Sequence, residues 1–423
     1  MGQEYRSENK KLKLLSLFSG CGGMDIGFEG GFQAPYKSVE NTPEWIDHKI
    51  NSDWVVLKKT SFELIFANDI LKEAFRTWTN YMSRFGYPSS IYHTQSIVDL
   101  IKSYENGDFE FPQKVDIVIG GFPCQDFSVA GKRKGFHSNK SHDGHIATDD
   151  IPSEETRGKL YFWMKRVIDI TQPKIFIAEN VKGLVNLGDV KQIIQNDFSS
   201  AGDDGYIVLE PQVLHAGNYG VPESRERVFF IGIRKDCLKD GMEEKIMQSS
   251  FANPLFYPYP QPTHNCTLNR VDLAHPVTVH DVVKGLKEPN ESQDASQMFY
   301  SKAKFMGTHC QGQKEIDLKN IAPTIRSEHH GNIEYRRLSL EHGGKNLSEL
   351  KKGLSERRLT PRECALIQTF PPDYEFVIPQ PNTTNRFIVS SSGAYKVIGN
   401  AVPPILAYKI AIRIQTLWSS IFK

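Results

Sequence analysis

Residues 115–128 read VDIVIGGFPCQDFS, and this stretch determines how the rest of the chain is interpreted. The apolar, β-branched run Val115–Ile119 predicts a buried strand, and the Gly-Gly-Phe-Pro after it predicts a sharp turn. Cys124 therefore stands at the carboxyl end of a strand, where open α/β sheets bind their ligands. A thiol in this place is a candidate nucleophile. The alternative is a buried structural cysteine, a common environment for a free thiol.

The chain has 423 residues, of which 39% are hydrophobic, enough for two domains or for one large domain with an insertion. No apolar run approaches 18 residues and the N-terminus is polar, so we expect a cytoplasmic protein without membrane contact. The six cysteines form no C-x-x-C pair, which favours free thiols in a reduced compartment and no metal. The net charge is +1, so groups that bind DNA must be gathered locally.

A glycine-rich segment, Ser19–Gly27, follows a predicted first strand, Leu12–Phe18. A strand that runs into such a turn and then a helix lets the backbone approach a nucleotide-like ligand closely. The spacing G-x-G-G lacks the third small residue of the dinucleotide fingerprint and favours a single nucleoside. A tight turn without a ligand is the alternative.

Two acidic residues end further predicted strands. Asp69 follows Phe62–Asn68, at the place from which an acid reaches ribose hydroxyls. Glu179 follows Lys174–Ala178, where it can protonate or hydrogen-bond a substrate, unless it only caps a helix. Residues 31–60, between the first two strands, are interpreted as a polar, irregular surface insertion.

Three later segments complete the reading. Arg225 and Arg227 stand at i and i+2 at the start of a strand, which predicts a forked site for an anion or a carbonyl. Residues 129–157 form a long polar stretch, either a lid over the nucleophile or a solvated loop. Residues 253–354 are rich in proline, histidine and polar turns and predict a loop-rich module, after which Thr360 and Glu363 predict a capping box that starts a helix.

Taken in order, six segments of this chain resemble the motifs of the DNA cytosine-5 methyltransferase family. The segments are Phe18–Gly23, Gly121–Gln125, Glu179–Val181, Arg225–Arg227, Arg358–Glu363 and Gly399–Pro403. The resemblance implies an α/β, Rossmann-like S-adenosylmethionine domain with a smaller, loop-rich target-recognition domain. It places the catalytic domain in residues 1–250, completed by 388–423, and the recognition domain and hinge in 251–387.

The same resemblance implies the chemistry of the site. Cys124 adds as a thiolate to carbon 6 of a cytosine that has left the double-stranded DNA, and carbon 5 then takes the methyl group. Glu179 binds the ring's nitrogen 3 and exocyclic amine, Arg227 contacts the carbonyl at position 2, and Arg225 supports the site. Gln125 is counted with these catalytic residues.

The resemblance also assigns binding residues. The residues expected to hold S-adenosylmethionine are Phe18, Ser19, Gly20, Cys21, Gly22, Gly23, Asp69, Ile70, Ser96, Ile97, Phe122, Pro123, Leu160, Asn400, Ala401 and Val402. Side-chain chemistry, and not the resemblance, predicts the DNA contacts: the side chains suited to phosphates and base edges are those of Ser128, Lys132, Arg133, Arg326, His329, His330, Asn332, Arg336 and Arg337. In two places the chain departs from the family pattern, since Gln95-Ser96-Ile97 replaces Gly-Asp-Ile and Glu223 replaces a common glutamine.

Three other interpretations are open at this point. A tRNA cytosine methyltransferase shares the core but carries a Cys-Phe-Thr run that this chain lacks, and a catalytically dead relative would have lost Cys124 or Glu179. A nucleoside-binding domain with a structural cysteine would not need the two arginines. The preferred interpretation is a monomeric DNA methyltransferase of a bacterial restriction–modification system, the last part by analogy of architecture.

Overall fold

The computed structural model describes residues 11–123, 160–310, 312–327, 333–383 and 386–423. The strands are β1 (Leu12–Leu17), β2 (Gln33–Pro35), β3 (Ile46–Lys49), β4 (Trp54–Leu57), β5 (Phe62–Asn68), β6 (Tyr92–His93), β7 (Ile117–Gly121), β8 (Ile175–Val181), β9 (Tyr206–Val208), β10 (Gln212–His215), β11 (Glu223–Ser224), β12 (Glu226–Arg234), β13 (Ala322–Pro323), β14 (Tyr335–Arg337), β15 (Arg357–Arg358), β16 (Ile378–Pro379) and β17 (Phe387–Val389). The α-helices are α1 (Gly23–Glu29), α2 (Lys72–Met82), α3 (Ile97–Glu105), α4 (Leu160–Thr171), α5 (Val190–Ser199), α6 (Met242–Met247), α7 (Val279–Val283), α8 (Ala295–Met298), α9 (Leu347–Leu350), α10 (Pro361–Ile367), α11 (Ser391–Asn400) and α12 (Pro404–Ile421).

An eight-stranded sheet organises the molecule, with strands in the order β10-β12-β8-β7-β1-β5-β6 and β9 also paired with β12. The five strands from β8 to β6 are parallel, whereas β12 runs antiparallel to β8, β9 and β10. Alternate side chains of the strands enter two separate apolar clusters, as the period of two of a β-strand requires. The sheet is therefore covered on both faces, and the predicted α/β, Rossmann-like fold is confirmed.

The strand order reverses at β1, which pairs with β5 on one side and with β7 on the other. The chain first builds the β5–β6 side and then crosses to β7 and β8. In open α/β sheets the ligand crevice lies outside the carboxyl ends of the strands at this reversal. The glycine-rich turn after β1 and the Phe122-Pro123 turn after β7 both lie there.

The C-terminal helices return to the first part of the chain, because α12 packs on α1. A side-chain carbon at Gly27 would lie 2.4 Å from the Ala407 Cβ and 2.7 Å from the Pro404 carbonyl oxygen, so glycine permits this close approach. By length and composition Ser391–Ile421 could cross a membrane, but 83% of its most apolar window is buried inside the molecule. These are core helices that complete the catalytic part of the chain. The exact domain boundaries stay predictions.

Residues 31–60 are more ordered than predicted, and the interpretation as an irregular insertion is wrong. They contain β2, β4 and β3, which form a three-stranded antiparallel sheet. Phe32, Val55 and Leu57 are buried, and Phe32 and Trp45 both make edge contacts with Tyr408 of α12. The polar composition concealed an apolar face that docks on the C-terminal helix. Further along the chain, β9 and β10 are two short strands that both pair with β12.

The capping box at the start of α10 is confirmed. The Thr360 hydroxyl accepts the Glu363 N–H at 3.0 Å, and the Glu363 carboxylate accepts the Thr360 N–H at 2.9 Å. Pro361 occupies the first helical turn, where its missing N–H costs nothing. This signal was readable because every partner lies within four residues.

Candidate active site

Glu179 occupies the end of β8 and is buried against the neighbouring strands. Its Oε1 lies 2.9 Å from the Arg227 Nε on β12. A side-chain carbon at Gly121 would lie 2.7 Å from the Glu179 Oε2, so glycine at the end of β7 leaves room for the carboxylate. The sheet therefore places this carboxylate against a residue only three positions before Cys124.

Asn180 fixes the turn that leads to Cys124. Its side-chain amide donates to the Phe122 carbonyl oxygen at 3.1 Å, and the amide is almost completely buried. Phe122 is buried beside Leu160 and Tyr161, so the aromatic side chain anchors the turn from the opposite side. Cys124, Gln125, Ser128, Lys132 and Arg133 lie outside the described residues, and their assignments stay predictions.

The electrostatics of Glu179 suit proton transfer. Burial raises the pKa of its carboxyl group, while the positive charges of Arg227 and Arg225 act in the opposite direction. A carboxyl group with a raised pKa retains a proton closer to neutral pH than an exposed glutamate does. It can then share that proton with a ring nitrogen.

Arg225 serves a different purpose from Arg227. Its guanidinium group is buried and donates to the carbonyl oxygens of Ile325 at 3.1 Å and Gly399 at 2.9 Å. The two arginines therefore do not form the open fork expected from their spacing, because the group of Arg225 is engaged by main chain. Arg225 ties the main chain at Ile325 to α11 and supports the site indirectly.

The glycine-rich turn is held by hydrogen bonds to Asp69, directly after β5, and to Tyr92 of β6. Asp69 accepts the Gly20 N–H at 3.0 Å and the Leu71 N–H at 2.9 Å, and the Tyr92 hydroxyl donates to the Gly20 carbonyl oxygen at 2.8 Å. Burial raises the pKa of Asp69, whereas these N–H groups and Lys396 act to lower it. The turn is thus fixed before any ligand arrives.

The free face of this turn fits an adenosyl ligand. Gly20 has a φ of +54°, and a side-chain carbon there would meet no heavy atom within 4 Å. Phe18 also has a positive φ, 51°, an unusual conformation that concentrates at ligand sites in proteins. Ile70 is 40% exposed, and Asn400 is exposed at the end of α11. The open space at Gly20 makes this face of the turn a candidate ligand site.

Several assigned cofactor residues are engaged inside the protein. Ser96 is the N-cap of α3 and accepts the Val98 N–H at 3.2 Å, while Cys21 donates to the Val397 carbonyl oxygen at 3.3 Å. Ile97 and Leu160 are buried in the apolar cluster on one face of the sheet. Ala401 and Val402 lie directly on Gly23, where a side-chain carbon would be 2.2 Å from the Val402 carbonyl oxygen.

Valine at Gly22 should abolish tight cofactor binding. Gly22 has a φ of +81°, and a side-chain carbon there would lie 2.7 Å from the Trp78 indole, so the turn must move. Gly107 has the same φ of +81° but open space around it, which makes Gly107→Val the matched control for backbone strain alone. Calorimetric titration with S-adenosylmethionine should show a large loss of affinity for Gly22→Val only. Equal affinities in the two variants would mean that this turn does not hold the ligand.

Asp25, a residue of α1 without solvent exposure, carries no prediction from the sequence but has a structural role at the site. It accepts the Ser16 hydroxyl at 2.6 Å and the Trp78 indole N–H at 2.9 Å, which joins β1, α1 and α2 beneath the turn. Burial raises the pKa of Asp25 to about 6, although both hydrogen bonds act against the shift. An acid in the first turn of a short helix is typical of a residue that interacts with the helix dipole, so no pattern in the sequence indicates this buried role.

Asp25 should make stability depend on pH. An unfolded aspartate has a pKa of about 3.9, so between about pH 4 and 6 the native state binds more protons than the unfolded state. The contribution of Asp25 to the free energy of unfolding is therefore fully present below about pH 4. It is lost as the pH rises through 6, and the loss is about 3 kcal/mol for a pKa shift of this size. Urea unfolding of the wild type and Asp25→Asn at pH 4.0 and 7.5 measures this. A difference between the two proteins that is independent of pH would contradict the assignment.

The structure does not support DNA contact by Arg336 and Arg337. Both side chains are buried in an ion-pair network, where Arg336 pairs with Glu349 at 2.5 Å and Arg337 pairs with Glu288 at 2.6 Å. A guanidinium group that already neutralises buried carboxylates is not available to a phosphate or a base. These ion pairs of Arg336 and Arg337 link β14 to Glu288 and to α9.

Arg326 remains a candidate for DNA contact. Its side chain is 32% exposed and its Nη2 lies 3.7 Å from a buried carboxylate oxygen of Glu334. His329, His330 and Asn332 lie outside the described residues. Among the residues that the structure does describe, no three His, Cys, Asp or Glu side chains could together hold a metal ion. The described cysteines, Cys21, Cys237, Cys266, Cys310 and Cys364, are free thiols.

Comparisons with known proteins agree on one family. A sequence model for C-5 cytosine-specific DNA methylases matches residues 54–416. Type II methyltransferase M.BsuRI of Bacillus subtilis is 31% identical to this chain over 96% of the chain and 80% of the relative. Type II methyltransferase M.BspRI of Lysinibacillus sphaericus is 32% identical over 96% of the chain and 82% of the relative. The structure of the Entamoeba histolytica methyltransferase EhMeth superimposes with a TM-score of 0.52 at 14% identity, over 97% of this chain and 99% of that one, and supports the fold.

Proposed function

We propose a residue-level mechanism for a chain that belongs to the C-5 cytosine-specific DNA methylase family and is therefore a DNA cytosine-5 methyltransferase. The target is a cytosine that has been flipped out of a specific double-stranded DNA sequence. The observation that carries the mechanism is the buried Glu179–Arg227 pair, 2.9 Å apart, seated against Gly121 immediately before the Phe122-Pro123-Cys124 turn.

The reaction begins when the Cys124 thiolate forms a bond to carbon 6 of the cytosine. Electron density moves toward nitrogen 3, where Glu179 stabilises the protonated ring, and Arg227 donates to the carbonyl oxygen at position 2. Carbon 5 thereby becomes nucleophilic and accepts the methyl group. Loss of the carbon 5 proton then restores the double bond and expels the Cys124 thiolate.

S-adenosylmethionine, when bound, supplies the electrophilic methyl group. We infer that the turn Phe18–Gly23 surrounds its adenosyl and methionine portions, with Asp69 toward the ribose and the Asn400–Val402 segment toward the methionine end. The open face of Gly20 supports this placement. Because the Ser96 hydroxyl caps α3, we assign no adenine contact to that side chain beyond its place in the pocket wall.

Sequence recognition is assigned to residues 251–387. Among the predicted DNA-contacting residues that the structure describes, Arg326 has the most exposed side chain, and His329, His330 and Asn332 are proposed to act with it. Arginine and asparagine can discriminate a base by about 1–3 kcal/mol per bidentate contact in the major groove. Ser128, Lys132 and Arg133 follow the nucleophile and are proposed to contact the DNA backbone around the flipped base.

The biological setting follows by similarity. Type II methyltransferases such as M.BsuRI support a role as the modification enzyme of a restriction–modification system. We infer a cytoplasmic enzyme that acts as a monomer, since one chain carries all the proposed motifs. The proposed partner is double-stranded DNA.

Transfer of a radiolabelled methyl group tests the substrate. The purified protein should label a mixed-sequence double-stranded DNA and leave tRNA unlabelled, and bisulfite sequencing of the product should place 5-methylcytosine at one sequence. Labelling of tRNA instead of DNA would reverse the proposal in favour of the RNA enzyme. Labelling of neither would contradict the mechanism.

A further inference from the structure

Glu223 departs from the glutamine common in the family, and the mechanism above does not use it. It forms β11 with Ser224 and is completely buried. Only Ser224 and Arg225 separate Glu223 from the catalytic strand β12, whose second residue is Arg227. Burying a carboxylate costs free energy unless hydrogen bonds or an opposite charge compensate it, so its partners show what it holds.

The side chains of Glu223 and Arg225 both bind the main chain of Ile325, Glu223 at its N–H and Arg225 at its carbonyl oxygen. The Glu223 Oε1 accepts the Ile325 N–H at 2.6 Å, and the Arg225 Nη1 donates to the Ile325 carbonyl oxygen at 3.1 Å. The two charged groups also face each other, with 3.6 Å between the Arg225 Nη1 and the Glu223 Oε1. Both hydrogen-bonding groups of Ile325 are thus satisfied by side chains and not by a neighbouring strand.

Main-chain contacts extend this clamp along the recognition segment. β13 pairs with β11 in parallel, the Ala322 N–H donates to the Pro222 carbonyl oxygen at 2.9 Å, and the Thr324 hydroxyl donates to the Ser224 carbonyl oxygen. Residues 322–325 therefore run beside the strand that leads into Arg227. The register of one segment fixes the register of the other.

The clamp also reaches the cofactor side of the molecule. The Arg225 Nη2 donates to the Gly399 carbonyl oxygen, and a side-chain carbon at Gly399 would lie 2.2 Å from the Arg326 carbonyl carbon. Gly399 belongs to α11, which ends at the proposed methionine-binding residues Asn400–Val402. Residues 322–326, the start of β12 and the end of α11 therefore meet around Arg225 and Gly399.

We propose that Glu223 is a positioning residue: by accepting the Ile325 N–H, it holds residues 322–325 in register with the start of β12, which carries Arg227. When residues 251–387 dock on the correct DNA sequence, this register aligns Arg227 and Glu179 with the target cytosine. This inference rests on the proposed function. A purely structural glutamate would change the amount of active enzyme, whereas a positioning residue changes the turnover and selectivity of each active molecule.

Three variants separate these roles. Glu223→Gln keeps an oxygen that can accept the Ile325 N–H, and Glu223→Leu fills the space without an acceptor. Glu226→Gln is the matched control, because Glu226 lies three residues after Glu223, at the start of β12, but forms an exposed ion pair with Lys182. Active molecules are counted by covalent trapping on DNA that contains 5-fluorocytosine, and kcat and KM are measured per trapped site on the sequence mapped for the wild type and on duplexes with one mismatch.

Glu223→Leu should lower kcat at least about 30-fold per active site and reduce the preference for the correct sequence about tenfold, since a buried N–H is left without an acceptor. Affinity for S-adenosylmethionine should stay within about twofold, and Glu223→Gln should retain kcat within about threefold of the wild type. The control variant should match the wild type throughout.

The inference is overturned if Glu223→Leu loses only trapped sites and keeps wild-type constants on those that remain. It is equally overturned if Glu223→Gln is impaired as much as Glu223→Leu, because the acceptor is then not the agent. If Glu223→Leu does not fold, Thr324→Val removes the neighbouring hydroxyl link and should reduce sequence preference in the same direction, with an unchanged preference overturning the inference. An inactive wild type on DNA would instead refute the proposed function.

Discussion

Changing Cys124 to alanine should abolish methyl transfer to DNA and leave the affinities for S-adenosylmethionine and DNA intact. The reason is chemical, since carbon 5 of cytosine is a poor nucleophile until a thiolate has added to carbon 6. Alanine removes the sulfur and little volume, so the turn that Asn180 and Phe122 hold is retained. Incorporation of a radiolabelled methyl group into DNA measures the loss, and calorimetric titrations measure both affinities.

A trapping experiment separates this role from a structural one. DNA with 5-fluorocytosine at the target position should give a covalent adduct with the wild type, because fluorine cannot leave as the carbon 5 proton does. Cys124→Ala should give none. Cys310→Ala, which removes a partly exposed free thiol of a different segment, should behave as the wild type. An adduct with Cys124→Ala would refute the nucleophile.

Changing Glu179 to glutamine should lower turnover by about 10³-fold, the middle of the range for loss of a group that exchanges a proton in the transition state. The amide keeps the size of the carboxylate and an acceptor for Arg227, but it cannot supply a proton to nitrogen 3. Folding should be retained, so thermal unfolding and S-adenosylmethionine affinity are measured beside single-turnover rates. Glu210→Gln, at an exposed glutamate paired with Lys191, is the control. Near-normal turnover would reduce Glu179 to a structural carboxylate.

The fate of the predicted DNA-contacting residues illustrates where pattern reasoning stops. Basic residues beside a polar turn suit phosphates and base edges, and this pattern predicts DNA contact by Arg336 and Arg337. Their carboxylate partners come from Glu288, 49 residues away from Arg337, and from Glu349 on α9. Only long-range packing brings these charges together, and it buries them. Charge in a sequence does not reveal whether it faces solvent or another charge.

The prediction of an irregular insertion at residues 31–60 was wrong for a related reason. Its strands are three or four residues long, and its apolar side chains are separated by polar turns. The periodicity of such short runs is weak. Their burial depends on Tyr408 and the rest of α12, more than 340 residues further along the chain. A surface insertion and a docked sheet therefore look alike until the C-terminal helix is in place.

The sequence by itself determined the features whose partners are local or covalent: the strands that end in Gly-rich and Phe-Pro turns, the Thr360–Glu363 capping box, and the order of motifs that identifies the chemistry. The tertiary structure alone decided which polar groups meet. In the folded chain Arg225 binds main-chain carbonyl oxygens while Arg227 pairs with Glu179, Glu223 accepts the Ile325 N–H, and Asp25 is buried beneath the glycine-rich turn. The physical reason is range: backbone conformation responds to neighbours within a few residues, whereas the burial and pairing of a charge depend on segments up to hundreds of residues apart.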